Sequence, residues 1–201
     1  MIRNLVFDFG DVFINLDKTA TINSFREAGI DNLPPHLEQL NIAFEKGEYS
    51  HEQFLEAYHN YFDVSKEEIV HHWNAILKEF PAYRLDFLRQ LRTEGKFKLI
   101  LLSNTNQIHI DYIKKHVSFY PEFKHSFDGF YLSHEINLRK PDLEIYEYVL
   151  EQHKMKPTET LFIDDTLENT VAAEKLGIHT WNINPATQDV VDLFAIKKEL
   201  F

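Results

Sequence analysis

The sequence predicts a doubly wound α/β fold, similar to a Rossmann arrangement, in which a parallel sheet core carries an inserted all-helical cap domain. Two observations predict it. Short runs of β-branched and aromatic residues alternate with longer helical patterns, which is typical of α/β proteins. About ninety residues separate the first run from the second, far more than one crossover helix requires, so an insertion is expected there.

The candidate strands are five short runs, at residues 5–7, 98–102, 129–132, 161–163 and 179–183. The second and fourth runs are apolar throughout most of their length instead of alternating with polar residues. Continuous apolar runs are typical of strands that helices cover on both faces, as in a parallel sheet.

The inserted stretch, residues 16–87, contains helix-start signals and no convincing strand, and it is the predicted cap. Residues 1–15 and 88–201 are then the core. Ser50 and Ser65 each stand three residues before a Gln or Glu, which is the capping-box pattern. Apolar residues follow both caps at helical spacing, namely Phe54, Leu55 and Tyr58, then Ile69, Trp73 and Leu77.

Composition describes a globular chain with an acidic surface. The 201 residues are 44% hydrophobic and 26% charged, and 21 basic against 32 acidic side chains give a formal charge of −11. Such a surface repels polyanions, so neither nucleic acid nor an anionic membrane is an expected partner. No apolar run approaches the roughly 18 residues of a membrane span, and cysteine is absent, so a cytoplasmic protein is expected. The oligomeric state is not readable from the sequence.

Four short polar clusters stand next to predicted strands or helices. In an open α/β sheet, ligands bind beyond the carboxyl ends of the strands, so one pocket can receive all four clusters. Carboxylates so concentrated cannot all ionise without a cation, and an all-oxygen site selects Mg²⁺. The clusters are Asp8-Phe9-Gly10-Asp11, Ser103-Asn104-Thr105-Asn106, Arg139-Lys140-Pro141 and Asp164-Asp165.

These residue types suit attack by a carboxylate on the phosphorus of a small phosphorylated substrate. Two anions repel each other, and a bridging Mg²⁺ with a lysine nearby removes that repulsion. Asp8 is the candidate nucleophile and Lys140 the candidate neutralising cation. Ser103 and the Asn104 amide are candidates for binding phosphate. Asp165 is a candidate metal ligand.

At these residues the chain resembles the haloacid dehalogenase superfamily of phosphohydrolases, whose four motifs occur in this order. The resemblance implies that Asp8 is the nucleophile and a metal ligand, that Ser103 binds phosphate and that Lys140 is the motif lysine. It also implies that Asp164 and Asp165 form the acidic pair that holds Mg²⁺. The segments 102–106, 131–133 and 138–141 are similar to a branch that includes bacterial α-D-glucose-1-phosphate phosphatases.

One position departs from the superfamily pattern. Two residues after the nucleophile, phosphatases of the superfamily usually carry an aspartate that protonates the leaving group, whereas this chain has Gly10, whose carbonyl the resemblance implies as a metal ligand. A general acid contributes a factor of about 10² to 10⁴. We therefore expect a preference for sugar 1-phosphates, acyl phosphates or aryl phosphates, which leave readily. Asp11 is an alternative acid, although its one-residue shift in a tight turn redirects the side chain.

Three other functions remain open at this point. A 2-haloacid dehalogenase attacks carbon without a metal, a sugar-phosphate mutase returns the phosphoryl group to sugar, and a phosphometabolite-binding protein turns over little. Asn169 can either bond within its helical turn or steady the acidic pair, and Thr166 is predicted to be a helix N-cap. The histidines, including His109, lack ligand spacing and are expected at the surface.

Overall fold

The computed structural model describes residues 1–30 and 34–201, so residues 31–33 of the predicted insertion lie outside the described residues. The described chain forms a five-stranded parallel sheet in the order β3-β2-β1-β4-β5. The chain winds outward from β1 in one direction, then returns to wind outward in the other, which confirms the predicted doubly wound fold. The strands are β1 (Asn4–Phe7), β2 (Lys98–Ser103), β3 (Gly129–Leu132), β4 (Thr160–Asp164) and β5 (His179–Asn182).

Burial of the sheet on both faces explains the continuous apolar runs. Leu5 and Phe7 of β1 lie in one apolar cluster, whereas Val6 lies in a second cluster on the opposite face. Successive side chains of a strand point to opposite faces, so both faces need apolar residues. Val6 is in register with Ile100 of β2 and Phe162 of β4, which belong to the same cluster.

Helices fill every connection between the strands. α1 to α4 lie in the insertion after β1, and α5 leads into β2. The remaining helices follow β2, β3, β4 and β5 in turn. Their bounds are α1 (Ala20–Glu27), α2 (Pro35–Glu45), α3 (His51–Phe62), α4 (Lys66–Asn74), α5 (Ala82–Glu94), α6 (Gln107–His116), α7 (Tyr120–His125), α8 (Ser133–Ile136), α9 (Leu143–His153), α10 (Leu167–Glu174) and α11 (Leu193–Ile196).

The cap is helical, as predicted, and its helices begin where the sequence signals them. The backbone N–H of Gln53 donates to Ser50 Oγ at 3.3 Å, and the N–H of Ser50 donates to Gln53 Oε1 at 2.9 Å. Ser65 and Glu68 form the equivalent reciprocal pair at the start of α4, at 3.2 and 3.1 Å. Both capping boxes satisfy backbone donors that would otherwise lack partners at the helix start.

The cap has its own apolar cluster, which is separate from the two clusters on the sheet. Phe25 of α1 packs near Tyr58 of α3, with ring centroids 5.9 Å apart, and Phe44 of α2 stacks on Phe54 of α3 at 4.2 Å. Trp73 of α4 contacts Phe54 edge to face at 4.8 Å. The aromatic residues that the sequence offers in this stretch therefore hold the cap helices together.

Two details of the insertion differ from the expected pattern. α4 ends at Asn74, so the expected helical position of Leu77 is wrong: Leu77 forms an antiparallel bridge with Leu16 where the two cap connections run side by side. α5 crosses the predicted boundary between residues 87 and 88, and its Leu85 and Leu88 are buried in a sheet cluster. We therefore propose that the cap ends before α5.

Ion pairs and hydrogen bonds connect the end of α2 to the core loop that precedes α9. Arg139 Nε donates to Glu45 Oε2 at 2.7 Å, and Lys46 Nζ donates to Asp142 Oδ2 at 2.9 Å. Asn137 Nδ2 also donates to the carbonyl oxygen of Lys46 at 2.8 Å. These contacts bring the cap over the carboxyl ends of the strands. None of the helices among the described residues is long and apolar enough to cross a membrane.

Candidate active site

The predicted catalytic side chains meet at the carboxyl end of the sheet, beside the point where the winding direction changes. Asp8 directly follows β1, and its backbone N–H donates to the carbonyl oxygen of Ile163 in β4 at 2.9 Å. Asp164 is the last residue of β4, and Ser103 is the last residue of β2. Because neighbouring parallel strands end at the same edge, residues far apart in sequence become neighbours there.

Lys140 is the centre of this cluster. Its side chain is 1% exposed, and its Nζ donates to Asp8 Oδ1 at 2.8 Å, to Asp164 Oδ2 at 2.6 Å and to the Leu102 carbonyl at 2.9 Å. The three donors of the ammonium group are thereby all used. The Asn104 side chain fixes the Lys140 backbone from both sides, since it accepts from the Lys140 N–H at 2.9 Å and donates to the Lys140 carbonyl at 2.8 Å.

The two aspartates of the acidic pair have different surroundings. Asp164 is fully buried, and Asn169 Nδ2 donates to its two carboxylate oxygens at 3.1 and 3.0 Å, so Asn169 steadies the acidic pair. The backbone N–H of Thr166 adds a bond to Asp164 at 2.8 Å, and Thr166 occupies the N-cap position of α10 without a side-chain capping bond. Asp165 instead pairs with Lys18.

The carboxylates fit a hard divalent cation. One oxygen from each of Asp8, Asp164 and Asp165 lies within 4.8 Å of the other two. An all-oxygen donor set of this kind suits Mg²⁺, which binds through one or two carboxylates, carbonyls and water. Asp8, Asp165 and, behind them, Asp164 would hold the ion. Lys18 Nζ already brings one positive charge to Asp165 and lies 3.4 Å from Asp11 Oδ2.

Crowding of charge alters the ionisation of these groups. Burial raises the pKa of Asp8 to about 7; the Lys140 ammonium opposes this rise, and Asp164 adds to it. Burial lowers the pKa of Lys140, but the two carboxylates outweigh burial and raise its pKa overall, so Lys140 stays charged. Burial also raises the pKa of Asp165, against the effect of Lys18. A bound cation would favour the ionised form of every carboxylate here.

Gly10 does not leave an open place for the missing aspartate. A Cβ at Gly10 would lie 2.6 Å from Leu16 Cδ1, so the space beside the nucleophile is filled by a residue of the cap connection. The alternative acid, Asp11, has a positive φ of 54° and is 8% exposed. Its Oδ1 accepts from the Leu16 backbone N–H at 2.9 Å, so the Asp11 side chain holds the turn together.

Two cavities adjoin at the cap and share Gly10, Leu16, Glu45 and Asn104 in their walls. The first, which we call the reaction cavity, has a volume of about 220 Å³. The second, which we call the side cavity, has a volume of about 140 Å³. The reaction cavity is lined by the shared residues and Asp8, Lys18, Arg139, Lys140, Pro141, Asp165, Thr166, Glu168 and Asn169. The side cavity is lined by the shared residues and Phe9, Ile14, Ile76, Leu77, Ser103, Thr105, His109 and Ile113.

Ser103, the predicted phosphate-binding hydroxyl, is 3% exposed and lines the side cavity, and its Oγ makes only a long contact of 3.5 Å with the Asn104 carbonyl. The expectation that His109 is a surface residue is wrong. It is half-buried between cap and core, and its Nδ1 lies 3.0 Å from Asn74 Oδ1. His116 and His125 are exposed, as expected.

Sequence reasoning gave no role to Lys18, Glu45 or Arg139, which all line the reaction cavity. Arg139 stood within a recognised cluster, but its partner Glu45 lies 94 residues away on the cap. Lys18 stands ten residues after the nucleophile without any motif. Only the closed arrangement of cap and core brings these side chains to the site.

The fold and the site together define a hydrolase of the open α/β type whose buried lysine and carboxylates suit a metal-assisted reaction. The family model for the haloacid dehalogenase-like hydrolases matches residues 2–177. The chain belongs to this family, and the predicted superfamily is confirmed.

Two relatives from Bacteroides thetaiotaomicron are similar over nearly the whole chain. A D-ribitol-5-phosphate phosphatase is 27% identical over 195 residues, which cover 90% of this chain and 91% of that protein. A wild-type HAD family enzyme, crystallised with magnesium and inorganic phosphate, is 36% identical with a TM-score of 0.85, covering 96% of this chain and 100% of that one.

A 2-haloacid dehalogenase from Pseudomonas syringae pv. tomato is more distant. It has a TM-score of 0.65 at 15% identity, with 100% of both chains covered. At this identity the likeness shows the fold alone.

Proposed function

We propose that this protein is a Mg²⁺-dependent phosphatase that hydrolyses a small phosphorylated metabolite through a phospho-aspartyl intermediate on Asp8. The observation that carries the proposal is the shared position of Lys140 between Asp8 and Asp164, with Asp165 beside them. The phosphatase name of one relative and the magnesium and phosphate bound to the other support the same reaction.

In the first step, a carboxylate oxygen of Asp8 forms a bond to phosphorus while the bond between phosphorus and the leaving oxygen breaks. Lys140 keeps Asp8 oriented, and its charge offsets that of the phosphoryl oxygens. Ser103 Oγ and the backbone N–H of Asn104 bind the same oxygens. Mg²⁺ held by Asp8, Asp165, Asp164 and the Gly10 carbonyl would supply the positive charge that lets two anions approach.

In the second step, water attacks phosphorus, the bond between phosphorus and the Asp8 oxygen breaks, and inorganic phosphate leaves with the oxygen and protons of the water, so the Asp8 carboxylate is restored. The leaving oxygen of the first step takes its proton from water, because position 10 carries no acid and Leu16 fills that space. Esters whose leaving groups need little protonation should therefore react best. This supports sugar 1-phosphates, acyl phosphates or aryl phosphates as preferred substrates, whereas the phosphatase relative supports a polyol 5-phosphate.

The nucleophile is tested with Asp8→Asn, assayed on p-nitrophenyl phosphate with Mg²⁺ and with a chelator. We expect the variant to lose at least about 10³-fold in kcat. The wild type should lose its activity in the chelator. Asp192→Asn, at an exposed position that lines neither cavity, is the matched control and should retain full activity. An Asp8→Asn enzyme as active as the wild type would contradict the proposal.

The substrate class is tested with a panel of phosphate esters whose leaving groups differ in acidity. We expect kcat to rise with leaving-group acidity, and a flat series would remove the argument from Gly10. Product analysis separates a phosphatase from a mutase, because only the former releases phosphate in proportion to substrate consumed. Halide release from a 2-haloacid in the chelator would favour the dehalogenase, and ligand-induced stabilisation without any turnover would favour a binding protein.

A further inference from the structure

His109 lies near the start of α6, between the cap and the sheet. Ile108, its neighbour, belongs to the cap's apolar cluster, whereas Ile110 and Ile113 belong to a sheet cluster. The ring of His109 stacks on Trp73 of α4 with centroids 5.9 Å apart and planes at 12°. The cap and the core therefore hold this imidazole jointly.

Asn74, the last residue of α4, is the hydrogen-bond partner of Nδ1 of His109. Its Oδ1 lies 3.0 Å from His109 Nδ1, and a carbonyl oxygen can only accept a hydrogen bond. With the Asn74 amide in this orientation, the proton sits on Nδ1 and Nε2 presents a lone pair. Burial lowers the pKa of His109 to about 3, so the ring is neutral at physiological pH. Nε2 makes no hydrogen bond to any residue in the described part of the chain.

The surroundings make this acceptor selective. The side cavity is apolar at Phe9, Leu16 and Leu77 and polar at Ser103 and Thr105, and it adjoins the reaction cavity, with which it shares wall residues. An acceptor in the wall of a ligand cavity is left unsatisfied by a ligand that fills the cavity without a donor, and this cost discriminates against such a ligand.

We propose that His109 is a specificity-determining residue whose Nε2 accepts a hydrogen bond from a hydroxyl group of the substrate's leaving group. The enzyme then selects phosphate esters of polyhydroxylated alcohols over esters of plain alkyl alcohols. This inference rests on the proposed function and names the substrate class of the same site. The phosphoryl group lies where the two cavities adjoin, between Asp8 of the reaction cavity and Ser103 of the side cavity, and the carbon chain extends further into the side cavity.

The test compares D-ribitol 5-phosphate with pentyl phosphate, which has the same number of carbon atoms and lacks the hydroxyl groups. For His109→Phe we expect kcat/KM on the ribitol ester to fall about tenfold or more, with kcat/KM on the pentyl ester unchanged or raised. His109→Gln keeps an acceptor and should recover part of the ribitol activity. His125→Phe, at an exposed histidine, should leave both values unchanged.

The outcomes separate the two proposals. If the wild type with Mg²⁺ hydrolyses no phosphate ester, including p-nitrophenyl phosphate, the proposed function fails. If the wild type is active but does not prefer the ribitol ester, only the proposal for His109 fails. The same holds if His109→Phe lowers kcat/KM equally for both esters. Nitrogen NMR of the wild type gives a readout independent of turnover: we expect a neutral ring protonated at Nδ1, and protonation at Nε2 would overturn the proposal.

Discussion

The reaction cavity and the side cavity differ in how their polar groups are satisfied. Around the reaction cavity, the three donors of Lys140 and both carboxylate oxygens of Asp164 bond to protein groups, so these charges are held in place before any ligand arrives. In the side cavity, apolar side chains dominate, and Nε2 of His109 has no bond to a described residue. The first arrangement suits a fixed chemical step, and the second suits selection among ligands.

This difference between the cavities suggests that the chemical step and substrate selection depend on different parts of the molecule. In the proposed mechanism, the chemical step depends on residues that follow strand ends, whose positions the sheet determines. Substrate selection would depend on residues from cap helices, cap connections and α6, whose positions depend on how the cap packs on the core. Substitutions of the residues that bind the phosphoryl group, Ser103 included, should therefore affect all phosphate esters alike, whereas substitutions of the other side-cavity residues should affect them according to the leaving group.

The largest effect is expected for Lys140→Met. The variant should lose about 10³-fold in kcat on every ester, because Asp8 and Asp164 then face each other and the phosphoryl oxygens without a fixed cation. Steady-state kinetics on p-nitrophenyl phosphate and D-ribitol 5-phosphate measure this loss. Lys156→Met, at an exposed lysine, is the matched control.

Removing one partner from a buried ion pair costs about 3–5 kcal/mol of stability, so thermal unfolding must accompany the kinetics. Lys140→Met combined with Asp164→Asn removes the uncompensated carboxylate and should recover stability without recovering activity. A substrate-dependent loss, large for one ester and absent for the other, would contradict the division between the two cavities.

A smaller effect is expected at the wall that both cavities share. Gly10→Asp introduces the usual acid of the superfamily, yet its Cβ would approach Leu16 Cδ1, the end of a flexible side chain, to 2.6 Å, so Leu16 has to turn away and we expect no gain in kcat/KM and a slightly lower Tm. Adding Leu16→Ala makes room for the carboxyl group. On alkyl esters, kcat/KM of the double variant should exceed that of Leu16→Ala alone by about 10-fold or more, since a general acid helps poor leaving groups most.

Kinetics on the pentyl and p-nitrophenyl esters check this prediction, with Leu16→Ala alone as the control. A Gly10→Asp enzyme that is faster than the wild type would show that Leu16 yields easily. It would also show that Leu16, in the wall that both cavities share, does not limit the rate of hydrolysis.

The sequence predicted the residues beside the strands because each lies next to a run that has to be a strand. Asp8, Ser103 and Asp164 lie at one edge because neighbouring parallel strands end there, so the predicted strands were enough to predict this cluster. The lysine at position 140 was predictable from its motif, but its three hydrogen bonds were not. Asn104 illustrates the limit, since its side chain fixes the Lys140 backbone across 36 residues.

Contacts between cap and core could not be predicted in the same way. α6 exposes Asp111, Lys114 and Lys115, and the cap covers the start of the helix, so its local periodicity does not reveal His109 as half-buried. Similarly, the apolar repeat of α5 fits packing on either domain, which is why the predicted boundary at residue 87 fell inside that helix. The burial of such residues depends on how the cap packs against the core, which the local periodicity of the sequence does not show.

The smallest effect is expected for Lys18, which belongs to the cap connection and yet contacts a predicted metal ligand. Its ammonium pairs with Asp165 and lies 3.4 Å from Asp11 Oδ2, while its side chain is 57% exposed. Burial lowers the pKa of Lys18, but Asp165 and Asp11 outweigh burial and raise it overall, so the charge persists. Mg²⁺ and Lys18 therefore compete for the same carboxylate.

Lys18→Met should tighten Mg²⁺ binding about two- to fivefold, because a half-exposed ion pair is worth at most about 1 kcal/mol. Calorimetric titration of Mg²⁺ measures the Kd directly, with Lys46→Met as the control that removes a cation from the cap without touching the acidic cluster. A weaker Kd in Lys18→Met would mean that Lys18 orients Asp165 for the metal. In that case a cap residue would take part in the chemical half of the site, and the separation between a core that reacts and a cap that selects would not hold.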